Sequence, residues 1–326
     1  MIIGLAPMDW FTDCAMRDVT QEIFDKYSNA SLLDKGGVRV DLFLRTEFMT
    51  ADGYCAKPQA VIRHLMTSPI QKNLIAQIHG GNIKTLLKTV KDINKKYAKD
   101  FIGIELNLGC PAHNIMKSGG GSELLRCKEE TLKIIEALSN ASKLPFSIKT
   151  RTGLDQKDRE NQTEFLVKAS KFCSMITIHG RTVKQAYTGE ADREFIYNLK
   201  KLVDKKCKII GNWWIHSYEE AKARLGNLDG VMIGLAAIGN PRIFTPYVQT
   251  FWQKVSLKEK RDTIIKHLDL MLKYNSDQSE ERIVIEFRKH LSQYIKWIPD
   301  SREFKVKMSE IKNQKDLISK VEKFLN

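Results

Sequence analysis

Eight short apolar runs punctuate the chain at intervals that leave room for one helix between neighbours, and each ends in glycine, proline or chemically active side chains. The runs are Ile2–Leu5, Phe43–Phe48, Leu74–Ile78, Ile102–Leu106, Phe146–Lys149, Met175–Ile178, Lys208–Ile210 and Gly230–Ile233. Stretches such as IKTLLKTVKDINKKY and TEFLVKASKF fill the gaps with apolar residues at helical spacing. Strand–helix alternation over about 240 residues fits either a closed (β/α)8 barrel or an open doubly wound sheet. The punctuation decides between them. APM follows the first run, TEF ends the second, QIHGG the third and NLGCP the fourth; KTRTG, HGRT, GNWW and GLAAIGNP close the rest. An open sheet concentrates such residues at one switch point, whereas a closed parallel barrel gathers all its active-site loops at one mouth. The sequence therefore predicts a TIM barrel.

After Pro246 the pattern changes to charged helical sequence. In ERIVIEFRKHLSQYIKWI, residues Ile283, Phe287, Leu291 and Ile295 recur every four positions as an apolar face. Arg282, Lys289 and Lys296 recur every seven and form a basic stripe. These patterns predict a barrel domain over residues 1–248 and a helical second domain over 254–326. The second carries 17 Lys and Arg against 12 Asp and Glu, an excess of +5 within a total of +14. A charge of that size suits a polyanionic partner, since each phosphate neutralised releases condensed counterions. It equally suits a lysine-rich, solvated surface.

Six cysteines lie scattered with no CxxC pair. That argues against a metal or cluster site and against a disulfide framework, and fits a reducing cytoplasm. No apolar run approaches the ~18–20 residues of a membrane span. The start, MIIGLAPMDWF, lacks the basic segment of a signal peptide.

Several candidates for chemistry stand at the strand ends. GLAAIGNP offers the small residues that let backbone approach a phosphate, with Gly234 first among them. Lys149 and Arg151 alternate along SIKTR and so point the same way. Two such cations need either anionic density between them or salt bridges to inward carboxylates such as Glu105 or Glu47. His179, followed by Gly180 and Arg181, is a candidate ligand contact. Cys110 sits on a rigid corner between Gly109 and Pro111, with Gly119–Gly121 just after it.

LAPM, TEF, QIHG, NLGCP, GGGSELLR, KTRTG, HGRT with YTGEAD, GN, MIG, GNPRIF and RKH together resemble the tRNA-dihydrouridine synthases in order and spacing, from about Gly4 to His290. The resemblance implies an FMN-dependent barrel enzyme that uses NADPH to reduce uridine C5=C6 in tRNA. Hydride passes from the flavin to C6, and the cysteine matching Cys110 protonates C5 from the other face. By matching position, Ala6, Pro7 and Met8 should pack along the flavin and Gln77 should bond its pyrimidine end. Lys149 should sit near N1–C2 and His179 should touch the cofactor, while Asn212 and Gly234 belong to its phosphate end. Asn107, Arg151 and Tyr187 match residues that hold the flipped uridine. The helical tail should grip tRNA, which gives weight to Arg282, Arg288, Lys289, His290 and Lys296. The glycine run should let main chain pass close to RNA and to the barrel mouth.

The chain departs from the family pattern in two places. Trp213 and Trp214 stand where Gly-Asp is usual, and Leu235 replaces an arginine that pairs with the FMN phosphate. Loss of that charge implies weaker FMN retention unless Arg242 or a nearby lysine substitutes. Two alternatives remain open at this level: a flavin barrel for a small molecule such as dihydroorotate, and a degenerate barrel that binds RNA without catalysis. A monomer is the default expectation. The segment NASLLDKGGVRVD before the second strand is longer than a barrel connection requires.

Overall fold

The computed structural model describes residues 1–31, 39–246 and 255–326. Nine strands form one parallel sheet: β1 (Ile2–Leu5), β2 (Asp41–Arg45), β3 (Met49–Thr50), β4 (Leu74–His79), β5 (Gly103–Asn107), β6 (Phe146–Arg151), β7 (Met175–His179), β8 (Lys208–Asn212) and β9 (Gly230–Ile233). The order β2-β1-β9-β8-β7-β6-β5-β4 closes on itself through Leu44↔Leu74 and Arg45↔Ile75. The closed eight-stranded barrel is the predicted fold. β3 is an extra rim segment, with Met49 and Thr50 paired to Ile78 and His79.

The second run, expected over Phe43–Phe48, splits at its middle. β2 ends at Arg45, and the chain then hands over to β4: the Thr46 amide bonds Ile75 O and Thr46 Oγ1 accepts from the Gln77 amide. The long segment before it has residues 32–38 outside the described residues, as are both expected domain limits, 248 and 254.

Strand parity sorts the barrel wall. Leu5, Leu44, Ile78, Leu106, Ile148, Ile178, Ile209 and Val231 are buried in the large core outside the strands. Alternate positions point inward. There, Ile2, Ile75, Met175, Ile210 and Met232 form a small apolar cluster of their own. Glu105 and Asn107, Lys149 and Arg151, and Thr177 and His179 share the inward parity, and the register Asn107↔Lys149, Arg151↔His179 and His179↔Asn212 carries them round the barrel.

Among the described residues, four helices follow the barrel: Leu257–Tyr274, Glu280–Tyr294, Ser301–Met308 and Gln314–Leu325. They bury Ile264, Leu268, Met271, Ile283, Phe287, Leu291, Leu317 and Val321 against one another and against Ala15 of the first barrel helix, Cys14–Ser31. The expected apolar face of Ile283, Phe287, Leu291 and Ile295 is wholly buried. None of the described helices is long and apolar enough to cross a membrane.

Candidate active site

A cavity of about 1290 Å³ opens at the C-terminal ends of the strands and runs under the tail helices. Its wall includes Ala6, Pro7, Met8, Asn107, Cys110, Lys149, Arg151, His179, Tyr187, Asn212, Gly234, Leu235 and Lys296, so thirteen of the expected site residues share one space.

The corner that carries Cys110 is held from inside the barrel by a chain of polar contacts. Arg45 and Glu105 form a fully buried ion pair, 3.1 Å apart. Gln77 Nε2 donates to Glu105 at 2.6 Å, and Asn107 Nδ2 donates to Gln77 Oε1 at 3.0 Å. Asn107 Oδ1 then accepts from the amides of Gly109 and Cys110 at 3.0 and 2.9 Å. Arg151 Nε donates to Gly109 O, and its Nη1 donates to the Thr182 and Ala186 carbonyls. From the far side, Ser122 donates to Cys110 O through both its amide and its hydroxyl, each at 3.0 Å.

The glycine run belongs to the same clamp. Gly119 and Gly121 have φ of +77° and +60°, the region glycine enters without penalty. A Cβ on Gly121 would lie 2.6 Å from Cys110 O. Gly121 thus lets the main chain pass close against the cysteine loop, while Gly119 packs against Gly81.

Burial raises the Cys110 thiol above its ordinary value; a contact with the Ala112 amide and the charges of Lys149 and Arg151 oppose that only in part. The sulfur stays an S–H at neutral pH. A nucleophilic cysteine has the reverse environment, with its thiolate stabilised. Lys149 forms no ion pair among the described residues, and burial pushes its amine down to about 8, with Arg151 and Arg45 adding to the effect of burial. The alternative of a salt bridge to Glu105 or Glu47 is not what the barrel adopts, because Glu105 is taken by Arg45 and Glu47 accepts from the Trp10 amide. Burial, with Lys149, Arg151 and Arg181 beside it, drives His179 down to about 2, so its ring is neutral.

Other expected residues fall elsewhere. Gln77 is fully buried, one layer below the cavity. Arg288 turns into the tail and donates to the Ile311 carbonyl. His290, expected at the RNA surface, is 1% exposed, because it packs edge-on against Phe11 and faces Asp13 at 3.7 Å. The basic stripe does not persist. Its helix ends at Tyr294, so Lys296 lies beyond it on the cavity rim, while Arg282 pairs with Glu286 and Lys289 sits 5.5 Å over the Trp10 ring.

At the departures from the family pattern, Trp213 is buried against Gly211, whose Cβ would collide with the indole, and Trp214 stands exposed on the rim. Leu235 is exposed to the cavity. Arg242 cannot replace the missing arginine freely, since it pairs with Glu259 and stacks 3.9 Å over Tyr27. Lys260 is a cavity residue with no ion pair among the described residues and so an available cation, as is Lys296. The helical neighbours of Lys260 gave no signal for it. Arg45 did have one: a lone arginine inside a buried strand needs an inward carboxylate.

Among the described residues, two groups of side chains have metal-ligating chemistry, Asp13–His267–His290 and Asp9–Glu47–His64. The first joins the cap residue of the first barrel helix to two tail helices, with Asp13 Oδ1 accepting from the Met16 amide. It works as a polar clasp between the barrel and the tail.

A family model described as "Dihydrouridine synthase (Dus)" matches residues 4–326. A "Probable tRNA-dihydrouridine synthase" of Aquifex aeolicus is 27% identical over 98% of this chain and 94% of its own length. One of the same description from Helicobacter pylori is 28% identical over 99% and 91%. Among solved structures, histamine dehydrogenase from Rhizobium sp. 4-9 superposes with a TM-score of 0.52 at 12% identity, covering 82% of this chain and 48% of that one, a likeness of fold alone.

Proposed function

Because the chain belongs to the dihydrouridine synthase (Dus) family over nearly its whole length, we propose that it reduces the C5=C6 bond of uridines in tRNA, with FMN as cofactor and NADPH as reductant. The dihydroorotate reading gives way to the family match. The observation that carries the mechanism is a thiol kept protonated on the wall of a cavity that also holds an unpaired lysine.

The residues present suit a flavin. Ala6, Pro7 and Met8 offer a small, mostly apolar wall, and a Cβ on Gly234 would touch only Ala6 and Met8, at 3.6 and 3.9 Å. Two neighbouring cations, Lys149 and Arg151, face the cavity and neither forms an ion pair among the described residues, an arrangement that an anionic ring system relieves. FMN, when bound, supplies hydride to uracil C6. Lys149 would hold positive charge beside the ring, and neutral His179 would contribute a hydrogen bond without adding a further charge. Asn212, Gly234 and Leu235 would lie at the phosphate end, with Lys260 as its cation.

Cys110 holds the proton that C5 takes up, and solvent later restores it to the thiolate. The donor must be aimed within hydrogen-bond reach of its target. Gln77, Asn107 and Ser122 do that aiming by fixing the backbone of the corner. Arg151 acts in two directions. Three of its hydrogen bonds grip loop carbonyls, and the guanidinium, 5.9 Å from the centre of the Tyr187 ring, leaves Nη2 for the substrate. A uridine must leave its stack to enter. The barrel up to about residue 248 would carry the cofactor, and the helices after 254 would face tRNA through Lys289 and Lys296. One chain supplies every residue used here, so a monomer suffices, and a tRNA substrate fits a reaction in the cytoplasm.

Cys110→Ala is the deciding variant. It should nearly abolish dihydrouridine in tRNA incubated with NADPH, while NADPH still bleaches the yellow protein. Product at the parental rate means that another group donates the proton; a colourless protein with no product supports the non-catalytic RNA-binding barrel.

A further inference from the structure

Among the described residues, three of the four tryptophans are more than half exposed: Trp10 at 53%, Trp214 at 51% and Trp297 at 75%. Trp214 and Trp297 line the cavity, and Trp10, between its wall residues Asp9 and Phe11, opens onto a second pocket shared with Arg63 and Lys289. Two of them are held there against their own backbone preference. Trp10 has φ +68° and Trp297 +73°, a left-handed region that bulky L-residues rarely enter. Strain of this kind persists where the surroundings fix it, and it clusters at ligand sites.

Each exposed indole also carries a cation over its ring. Lys289 and Arg63 lie 5.5 and 5.7 Å from Trp10, Arg181 lies 5.6 Å from Trp214, and Lys296 lies 5.0 Å from Trp297. An apolar protein partner would be met by plain aromatics. Aromatic planes each accompanied by positive charge, on a chain of net charge +14, match bases and phosphates together.

We propose that the rim formed by Trp10, Trp214 and Trp297 is a set of stacking platforms for unpaired nucleotides flanking the one that enters the cavity. The proposal rests on the reading of RNA as substrate and adds that the enzyme selects single-stranded or splayed loop segments by stacking. Base–aromatic stacking tolerates any sequence, because every base has a π-face. The rim therefore reads strandedness and leaves base identity to the cavity.

The left-handed φ values supply clean variants. Trp10→Gly and Trp297→Gly remove the indole and relieve the backbone, so each protein should melt at or above the parental temperature. Binding is measured on the purified protein by fluorescence anisotropy, with a short single-stranded RNA, the same strand annealed to its complement, and an unmodified tRNA transcript. The parent should prefer the single strand to the duplex. Each glycine variant should bind single strand and transcript about 5- to 100-fold more weakly, with duplex binding little changed. Trp297→Tyr should restore most of the loss. The slope of log Kd against log salt should stay parental in the glycine variants and fall by about 0.7–0.9 in Lys296→Ala. Parental RNA affinity in both glycine variants overturns the stacking proposal and leaves the enzymatic reading intact. Failure of the parent to bind any of the three RNAs overturns the substrate reading itself. Concentration-dependent self-association lost in the glycine variants, with RNA binding unchanged, would assign the rim to a second copy of the chain instead.

Discussion

Gly121→Ala tests whether the cysteine corner is clamped as the structure describes. Two costs add. At φ +60° an L-residue pays roughly 1–2 kcal/mol relative to glycine. The new methyl would also lie 2.6 Å from Cys110 O and 2.9 Å from Ile115 Cγ2, so the loop must open by roughly 0.4 Å or more before it reaches even the closest contact real side chains make. Ser122 grips the same carbonyl twice, so the opening has to move Cys110 with it. A 1 Å misplacement of a reacting group can cost about 100-fold, and half of that about ten-fold. The variant should therefore lose about 2–4 kcal/mol of stability and about ten-fold or more in dihydrouridine formation, counted by mass spectrometry of digested tRNA. Bleaching of the flavin by NADPH should stay parental. Gly119→Ala is the internal control. Its φ is +77°, yet its Cβ meets only Gly81 Cα at 3.5 Å, so it carries the backbone penalty without the collision. If both variants slow product formation equally, or if Gly121→Ala slows neither melting nor turnover, the clamp on Cys110 is not what aims the thiol.

Three further outcomes follow from the same geometry. FMN titration of the apoprotein should find Leu235→Arg tighter by about ten-fold or more and Lys260→Ala weaker; a low-nanomolar parent unchanged by Leu235→Arg would refute the lost phosphate contact. Burial holds His64, His79 and His290 down to about 4 and His179 to about 2, so the unfolded chain takes up more protons once pH falls below about 6.5. Stability should be fully present above that pH and should drop as pH goes from about 6.5 towards 4, read as a falling urea midpoint; a flat profile between pH 7 and 5 would contradict it. Arg45→Met should cost about 3–5 kcal/mol by stranding Glu105, and adding Glu105→Leu should recover most of the loss in melting temperature, although the Gln77 contact is not regained.

The sequence by itself determined the barrel, because period-two strands and period-3.6 helices are local patterns, and a special residue at every strand end is compatible only with closure. It also determined most of the cavity wall, since Lys149/Arg151 parity and the NLGCP corner are readable one strand at a time. Tertiary structure alone decided which polar side chains face the cavity and which serve the layer beneath. The family resemblance makes Gln77 a ligand contact, and it became a strut of the cysteine loop, through Asn107 on the cavity wall, only when β4, β5 and the Arg45 of β2 met inside the barrel. His290 and Arg288 likewise read as exposed on a basic helix, until Asp13 and Ile311, distant in sequence, claimed them. The physical reason is that a hydrogen bond needs two partners. A strand specifies the direction in which a side chain leaves the backbone, and only the closed fold specifies what waits there.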